Sequence, residues 1–164
     1  MTYHFIFADK AEPQALLPHL FELLYANMSL IAPSDKTYEE EYAEWFSNVC
    51  PALQKPQRQI VLMYCNGQIC GYFQYYVNLG RFMMEEIQIE KEHQGKGLFT
   101  AFYSWLVRQL PSDIKNVEAY AHKANDKSQG ILQHLGLERI GEDEESNTYH
   151  YRGAYQNLLN RYYR

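Results

Sequence analysis

The spacing of hydrophobic and polar residues divides the chain into short strand-like and helix-like segments. Two runs rich in β-branched and aromatic residues, within residues 58–77, surround Asn66-Gly67 and predict a β-hairpin with a two-residue turn. Short segments of similar composition predict further strands at residues 3–7, 83–89, 116–122, 137–141 and 147–153.

Helical periodicity is clearest in the N-terminal third and in the middle of the chain. Leu16, Leu20, Leu24 and Met28 repeat at helical spacing and predict a helix over residues 13–30, with Pro18 in its first turn. A second helix begins after Thr37, which with Glu40 has the spacing of a capping box. Further helices are predicted over residues 98–110, ended by Pro111, then over 125–136 and within the tail at 154–164.

The predicted order is strand, two helices, three strands, helix, strand, helix and two strands. This order predicts a single mixed α/β domain over residues 1–164, with helices on both faces of a sheet. A length of 164 residues suits one domain, and 46% hydrophobic with 15% aromatic residues can build a sizeable core. The composition is therefore that of a folded chain rather than a disordered one.

Charge and hydropathy exclude several classes of partner. The formal net charge is -5 and no run of Lys or Arg occurs, which argues against nucleic-acid binding. No apolar run reaches the roughly 20 residues of a membrane span, and the N-terminus lacks the basic start of a signal peptide. We therefore expect a cytoplasmic protein that binds neither nucleic acid nor membrane.

The cysteines and histidines do not predict a disulfide or a metal site. Cys65 and Cys70 flank the Asn66-Gly67 turn at diagonal positions, a poor geometry for a disulfide, and Cys50 makes the count odd. Reduced thiols in the cytoplasm are the simplest interpretation. The six histidines show no paired ligand spacing, so we expect no metal.

The segment His-Gln-Gly-Lys-Gly-Leu-Phe, residues 93–99, lies between a predicted strand and a predicted helix. A helix N-terminus presents unpaired backbone N–H groups, and glycines at 95 and 97 let the backbone approach an anion closely. Lys96 adds a positive charge. Taken alone, Gly-x-Gly also fits a plain tight turn, so the physical argument leaves both interpretations open.

Two motifs in register resemble those of the Gcn5-related N-acetyltransferases (the GNAT family). That family's acetyl-CoA motif reads Gln/Arg-x-x-Gly-x-Gly/Ala after a strand and at the start of a helix; here Gln94, Gly97 and Phe99 fill its first, fourth and sixth positions. Downstream, Asn125 and the Leu-Gly-Leu of residues 135–137 resemble the second motif. The resemblance covers about residues 58–152, which would form the cofactor-binding core of a single acetyltransferase-like domain. It implies a three-layer αβα fold whose mixed, mostly antiparallel sheet splays between the fourth and fifth strands.

The resemblance also implies an activity and a binding mode. The chain would transfer an acetyl group from acetyl-CoA, as acyl-donor cosubstrate, to a primary amine that attacks the thioester directly. The strand at Ile87, Gln88 and Ile89 would pair its backbone with the pantetheine arm, and Asn125 and Ser128 would lie near that arm. The turn would hold the pyrophosphate; its residues are Gln94, Gly95, Lys96, Gly97, Leu98 and Phe99. The acceptor would be a small-molecule or peptide amine, and the family leaves a homodimer open.

The chemistry of deprotonation points to two adjacent carboxylates. An alkyl ammonium has a pKa of about 10.4 and must lose a proton before it attacks, so a base is expected. Glu85 aligns with a base proposed in related polyamine acetyltransferases, and Glu86 is the second candidate. The two point to opposite faces of the strand, and either can instead be a structural carboxylate.

Two positions depart from the family pattern. Leu132 stands where many members carry a general-acid tyrosine, which leaves Tyr149, Tyr151, Tyr120 or His122 as substitutes, with Tyr149 chosen as the candidate. Phe99 replaces a small residue at the helix start. These departures keep open an alternative function, a catalytically silent module that binds acyl-CoA. Four glutamates between residues 39 and 44 form either a solvated helix face or an acidic lip that attracts a cationic amine.

Overall fold

In the computed structural model, which describes residues 2–164, the chain forms seven strands and five α-helices. The strands are β1 (Tyr3–Phe7), β2 (Arg58–Cys65), β3 (Gln68–Asn78), β4 (Arg81–Ile89), β5 (Asn116–His122), β6 (Glu138–Asp143) and β7 (Thr148–Ala154). The helices are α1 (Pro13–Met28), α2 (Tyr38–Leu53), α3 (Leu98–Leu106), α4 (Asp126–His134) and α5 (Tyr155–Tyr162), and a single 3₁₀ turn spans Lys91–His93. The predicted order of elements is confirmed.

The strands pair in the order β1-β2-β3-β4-β5-β7-β6. β1 runs antiparallel to β2, and β7 runs antiparallel to both β5 and β6, whereas β4 and β5 are parallel. The parallel register joins Arg81–Met84 to Asn116–Ala119, so it covers only the first four residues of β4. A mixed, mostly antiparallel open sheet is confirmed, and its only parallel pairing among residues 2–164 stops before Glu85.

The chain divides into two compact units that share β3 and β4. The first unit comprises residues 2–74 and Glu86–Gln94, and the second comprises Tyr75–Glu85 and Gly95–Arg164. The first is built around one apolar cluster drawn from α1, α2, β2 and β3: Leu17, Leu20, Leu23, Leu53, Ile60, Leu62 and Tyr72. The single domain over residues 1–164 remains a prediction.

Aromatic rings hold the second unit together. Phe82 of β4 contacts Tyr75 and Tyr155 edge-on, with ring centroids 5.4 and 6.4 Å apart. Tyr103 of α3 stacks on Tyr162 of α5 at 5.2 Å. The aromatic contacts hold α3 and α5 side by side, which sets the direction in which α3 begins.

Local turn and capping chemistry explains most element boundaries. The Thr37 hydroxyl accepts from the Glu40 backbone N–H at 3.2 Å, and the Glu40 carboxylate accepts from the Thr37 N–H at 3.0 Å. This reciprocal pair confirms the capping box of α2. Asn66 and Gly67 both have positive φ, of 52° and 83°, as a two-residue hairpin turn of the predicted kind requires.

The place of Pro18 within its helix and the end of a second helix were predicted wrongly. α1 begins at Pro13, so Pro18 lies in the helix interior rather than in its first turn. α3 ends at Leu106, four residues before the expected end at Leu110, because the chain then tightens: Gln109 N–H donates to the Leu106 carbonyl at 2.8 Å. Within residues 2–164, the helices are too short or too polar for any of them to cross a membrane.

Candidate active site

The Gly-rich turn contains two glycines in the left-handed backbone conformation. Gly95 and Gly97 have φ of 73° and 84°, in the left-handed region, and Gly97 is the N-cap of α3. A Cβ added at either glycine would meet nothing within 4 Å. The backbone torsion, rather than a lack of space, therefore requires glycine at both positions. A helix N-terminus leaves backbone N–H groups unpaired within the helix, so the turn remains a candidate anion-binding site.

The side chains next to these glycines differ in burial. Lys96 is exposed, whereas the Leu98 side chain is buried in the second unit. The half-buried Phe99 ring stacks on Tyr103, with centroids 6.0 Å apart and planes 8° from parallel. Tyr103 lies one turn further along α3, so the Phe99 ring packs along the helix rather than over Gly95 and Gly97.

The end of β4 is held by side-chain amides in the first unit. The main-chain carbonyl of Ile89 accepts from Gln94 Nε2 at 2.9 Å and from Asn27 Nδ2 at 3.0 Å. Gln88 Nε2 donates to Glu86 Oε1 at 2.6 Å. The contacts thus bring four of the predicted residues together: Glu86, Gln88, Ile89 and Gln94.

The backbone groups of this part of β4 alternate between two directions. Glu90 N–H donates to the Cys70 carbonyl of β3 at 2.8 Å, and the Gln88 carbonyl lies beside Gly71, which is also in β3. Backbone groups of even-numbered residues here therefore point towards β3, and those of Ile87 and Ile89 point away from it. A ligand pairing with the far edge of β4 would meet Ile87 and the Ile89 N–H, because the Ile89 carbonyl already accepts twice.

Apart from Ile87, the other predicted residues lie in the second unit. Glu85 is half-buried in β4. Asn125 is the N-cap of α4, and its side-chain oxygen accepts from the Ser128 backbone N–H at 3.0 Å. Leu132 is 7% exposed and belongs to the core, so no acid group stands at that position.

The candidate general acids are engaged in other contacts. Cations lie over the ring of Tyr149, with the Arg139 guanidinium at 4.2 Å and Lys123 Nζ at 5.3 Å from its centroid. Tyr120 stacks on His150 at 4.3 Å, and His122 Nδ1 accepts from the Ala124 N–H. The buried Tyr151 donates its hydroxyl to Gln129 at 3.2 Å. The role of Tyr149 stays a prediction.

Sequence reasoning missed a buried carboxylate in β5. Glu118 is 1% exposed, and its oxygens lie 2.8 Å from His150 Nε2, 3.3 Å from Arg152 Nη2 and 3.5 Å from Arg81 Nε. Three cationic or potentially cationic partners explain how a carboxylate is tolerated there. A lone Glu in the otherwise apolar segment Asn-Val-Glu-Ala-Tyr-Ala was a signal that could have revealed it.

Tyr72 of β3 was also missed. Its side chain is fully buried, and its hydroxyl has no hydrogen-bond partner within residues 2–164. Burial, with a smaller contribution from the negative charge of Glu86, raises the pKa of Tyr72 well above its ordinary value. The phenol therefore keeps its proton across the physiological pH range.

Known proteins resemble the chain in sequence pattern and in fold. The sequence model of the Acetyltransferase (GNAT) family matches residues 17–137. The PaiA N-acetyltransferase of Thermoplasma acidophilum, solved with coenzyme A, superposes with a TM-score of 0.72 at 12% identity, over 94% of this chain and 100% of that one. An acetyltransferase of Thermus thermophilus has the same TM-score at 18% identity, over 94% and 97%. The aminoglycoside acetyltransferase AAC(6')-Ib, also solved with coenzyme A, gives 0.67 at 17%, over 99% and 100%. No curated protein sequence matches the chain significantly.

Proposed function

The chain belongs to the acetyltransferase (GNAT) family, and we propose that it transfers an acetyl group from acetyl-CoA to the primary amine of a small molecule. The observation that carries the proposal is the pair of left-handed glycines, Gly95 and Gly97, at the start of α3. This turn exposes backbone N–H groups that suit a pyrophosphate. Lys96 adds a positive charge there.

The backbone directions of β4 refine how the pantetheine arm is held. Gln88 turns its backbone groups towards β3, and the Ile89 carbonyl is occupied by two side-chain amides. Pairing along the far edge of β4 therefore falls to the Ile87 backbone and the Ile89 N–H. In α4, the Asn125 side-chain oxygen is engaged with Ser128, so we assign its contribution to placing the first turn of the helix.

Acetyl-CoA supplies the thioester whose acetyl group is transferred. A carboxylate of β4, Glu85 or Glu86, accepts a proton from the acceptor ammonium and so frees its nitrogen lone pair. The N–C bond then forms as the C–S bond breaks, the thiolate leaves with the electron pair of the broken bond, and the second proton of the acylated nitrogen passes to that thiolate or to water. A thiol pKa near 8.5 makes this departure feasible without an acid from the protein, which suits a leucine at position 132.

The acidic segment of α2 gives limited support for a cationic acceptor. Glu40 is engaged in the capping box, and Glu44 forms an ion pair with Lys36 at 2.5 Å. Glu39 and Glu41 remain as candidates for attracting an ammonium group. The net charge of -5 acts in the same direction over longer range.

The decisive experiment follows thiol release from acetyl-CoA across polyamines, aminoglycosides, other small amines and peptide N-termini. We expect turnover with at least one small amine, and a rate lowered about 10²- to 10⁴-fold in whichever of Glu85→Gln and Glu86→Gln removes the base. Acetyl-CoA should also raise the melting temperature, because it binds only the folded state. If millimolar acetyl-CoA left the melting temperature unchanged, that result would contradict the assignment.

The alternative function is a catalytically silent acyl-CoA-binding module. The observation that favours it is the absence of an acid group at Leu132, together with Phe99 at the helix start. A protein that shows a thermal shift with acetyl-CoA but releases no thiol with any amine of the panel would support this alternative.

A further inference from the structure

A chain of side-chain amides links Glu86 of β4 to α1. Gln88 Nε2 donates to Glu86 Oε1 at 2.6 Å, and Gln88 Oε1 accepts from Asn27 Nδ2 at 2.9 Å. The same Asn27 nitrogen donates to the Ile89 main-chain carbonyl at 3.0 Å. Gln88 is 6% exposed, so water competes little for its amide.

The direction of this chain is dictated by the Ile89 carbonyl. A main-chain carbonyl can only accept, so the Asn27 group facing it must be the NH₂. That NH₂ has two hydrogens: one goes to Ile89 and the other to the Gln88 side-chain oxygen. Because the Gln88 oxygen faces Asn27, its NH₂ must face Glu86. The Ile89 carbonyl therefore determines that the NH₂ end of the Gln88 amide faces Glu86.

An amide N–H donates and cannot accept, so it stabilises the ionised carboxylate of Glu86 and not the protonated acid. Resting on the proposed function, we infer that Gln88 and Asn27 are positioning residues that hold Glu86 ionised and oriented as the proton acceptor of the reaction. This assigns the base to Glu86 in preference to Glu85.

The groups around Glu86 are consistent with this role. On β3, Tyr72 carries a phenol whose proton is retained, because burial first and the Glu86 charge second raise its pKa. On α1, Asn27 contacts the Gln88 side chain rather than Glu86 itself, and it carries no charge and cannot titrate. Tyr72 is therefore a neutral neighbour over the pH range in which Glu86 would take a proton.

Asn27→Asp tests the inference sharply, because it keeps the shape of the side chain and removes both N–H groups. The aspartate would accept from Gln88, whose amide must turn and present its oxygen to Glu86. We expect the acidic limb of kcat/KM against pH to move upward by about one unit or more. Asn27→Leu, which cannot reverse the amide, should move the limb by less than half as much. Gln14→Glu, at an exposed position of α1, should leave the limb in place.

A second measurement does not depend on turnover. The side-chain carboxyl carbon of Glu86, labelled with ¹³C and assigned by comparison with Glu86→Gln, is titrated by NMR in the intact chain. Its midpoint should rise in Asn27→Asp, and also in Gln88→Met, which removes the donor and serves if Asn27→Asp does not fold. An unchanged midpoint in a folded variant overturns the inference, as does an active wild-type enzyme whose acidic limb is the same in Asn27→Asp. If the wild type turns over no amine of the panel, the proposed function is wrong. A shifted titration midpoint of Glu86 in the variants would still show that the amide chain acts on Glu86.

Discussion

Gln94 donates its side-chain amide to the carbonyl of Ile89 across 2.9 Å, which ties the start of the Gly-rich turn to the end of β4. The family motif begins at this glutamine, and the contact gives its side chain a specific task in this chain. It occupies a backbone acceptor and fixes where the turn leaves the strand. The backbone N–H groups that follow, rather than the Gln94 side chain, would then bind an anion.

Gln94→Leu should therefore weaken acetyl-CoA binding without destroying the fold. The variant keeps the volume of the side chain but removes the donor, and one such hydrogen bond contributes about 0.5–1.5 kcal/mol. We expect the Kd for acetyl-CoA, measured by isothermal titration calorimetry, to rise roughly two- to tenfold. Gln133→Leu, at an exposed site on α4, is the matched control and should leave the Kd unchanged. Equal Kd values for Gln94→Leu and wild type would show that this contact does not support binding.

Two glycine-to-alanine substitutions should have opposite effects on stability. Gly97 has φ of 84°, where an alanine Cβ costs about 1–2 kcal/mol, so Gly97→Ala should lower the free energy of unfolding and weaken acetyl-CoA binding. Gly130 lies within α4 at an exposed position with open space around it. Gly130→Ala should raise the free energy of unfolding by about 0.4–1 kcal/mol and leave binding unchanged.

Urea denaturation and calorimetric titration of both variants would check this pair. A Gly97→Ala protein as stable as wild type would mean that the turn adopts another backbone conformation. Loss of stability in Gly130→Ala would mean that α4 does not extend through this position.

Features set by local rules could be predicted from the sequence, whereas contacts between distant segments could not. The Thr37–Glu40 capping box and the left-handed Asn66-Gly67 and Gly95–Gly97 turns follow from residues a few positions apart. Pro18 was misplaced because proline usually suits a first helical turn, whereas the helix that begins at Pro13 continues through position 18.

The candidate site shows the same division. The strand, the turn and the adjacent carboxylates were all visible as motifs. The contact between Asn27 and Gln88 joins residues 61 positions apart, and no local pattern encodes it. The unpaired hydroxyl of Tyr72 could not be predicted either, because β3 carries four aromatic residues, at positions 72, 73, 75 and 76, and the sequence does not distinguish one ring from another.

Tyr72→Phe should stabilise the protein. The Tyr72 hydroxyl is buried without a hydrogen-bond partner within the described chain, and burying such a group costs about 1–3 kcal/mol. Removing one oxygen from an otherwise apolar cluster should raise the free energy of unfolding by about 1 kcal/mol, measured by urea denaturation. Tyr151→Phe is the contrasting control, because its hydroxyl donates to Gln129 and its loss should destabilise the fold.

The same variant separates structure from chemistry. If Tyr72 only packs, Tyr72→Phe should turn over acetyl-CoA at the wild-type rate. A more stable protein with a slower rate would instead place the phenol in the reaction, beside Glu86. A less stable protein would show that the hydroxyl gains more from its surroundings than it loses by burial.

Cys70 should make the protein less stable at alkaline pH. Burial, followed by the nearby Cys65 and Glu90, raises the pKa of the Cys70 thiol to about 11. In the unfolded chain the thiol titrates near pH 8.5, so between these values the folded state binds more protons than the unfolded state. The stabilising contribution is therefore complete below about pH 8.5 and is lost as the pH rises towards 11, by up to roughly 2–3 kcal/mol.

Urea unfolding of wild type and Cys70→Ala from pH 8 to 11 would measure this loss of stability, and the variant should show the shallower decline. Identical slopes for wild type and Cys70→Ala would mean that Cys70 ionises as readily in the folded chain as in the unfolded one.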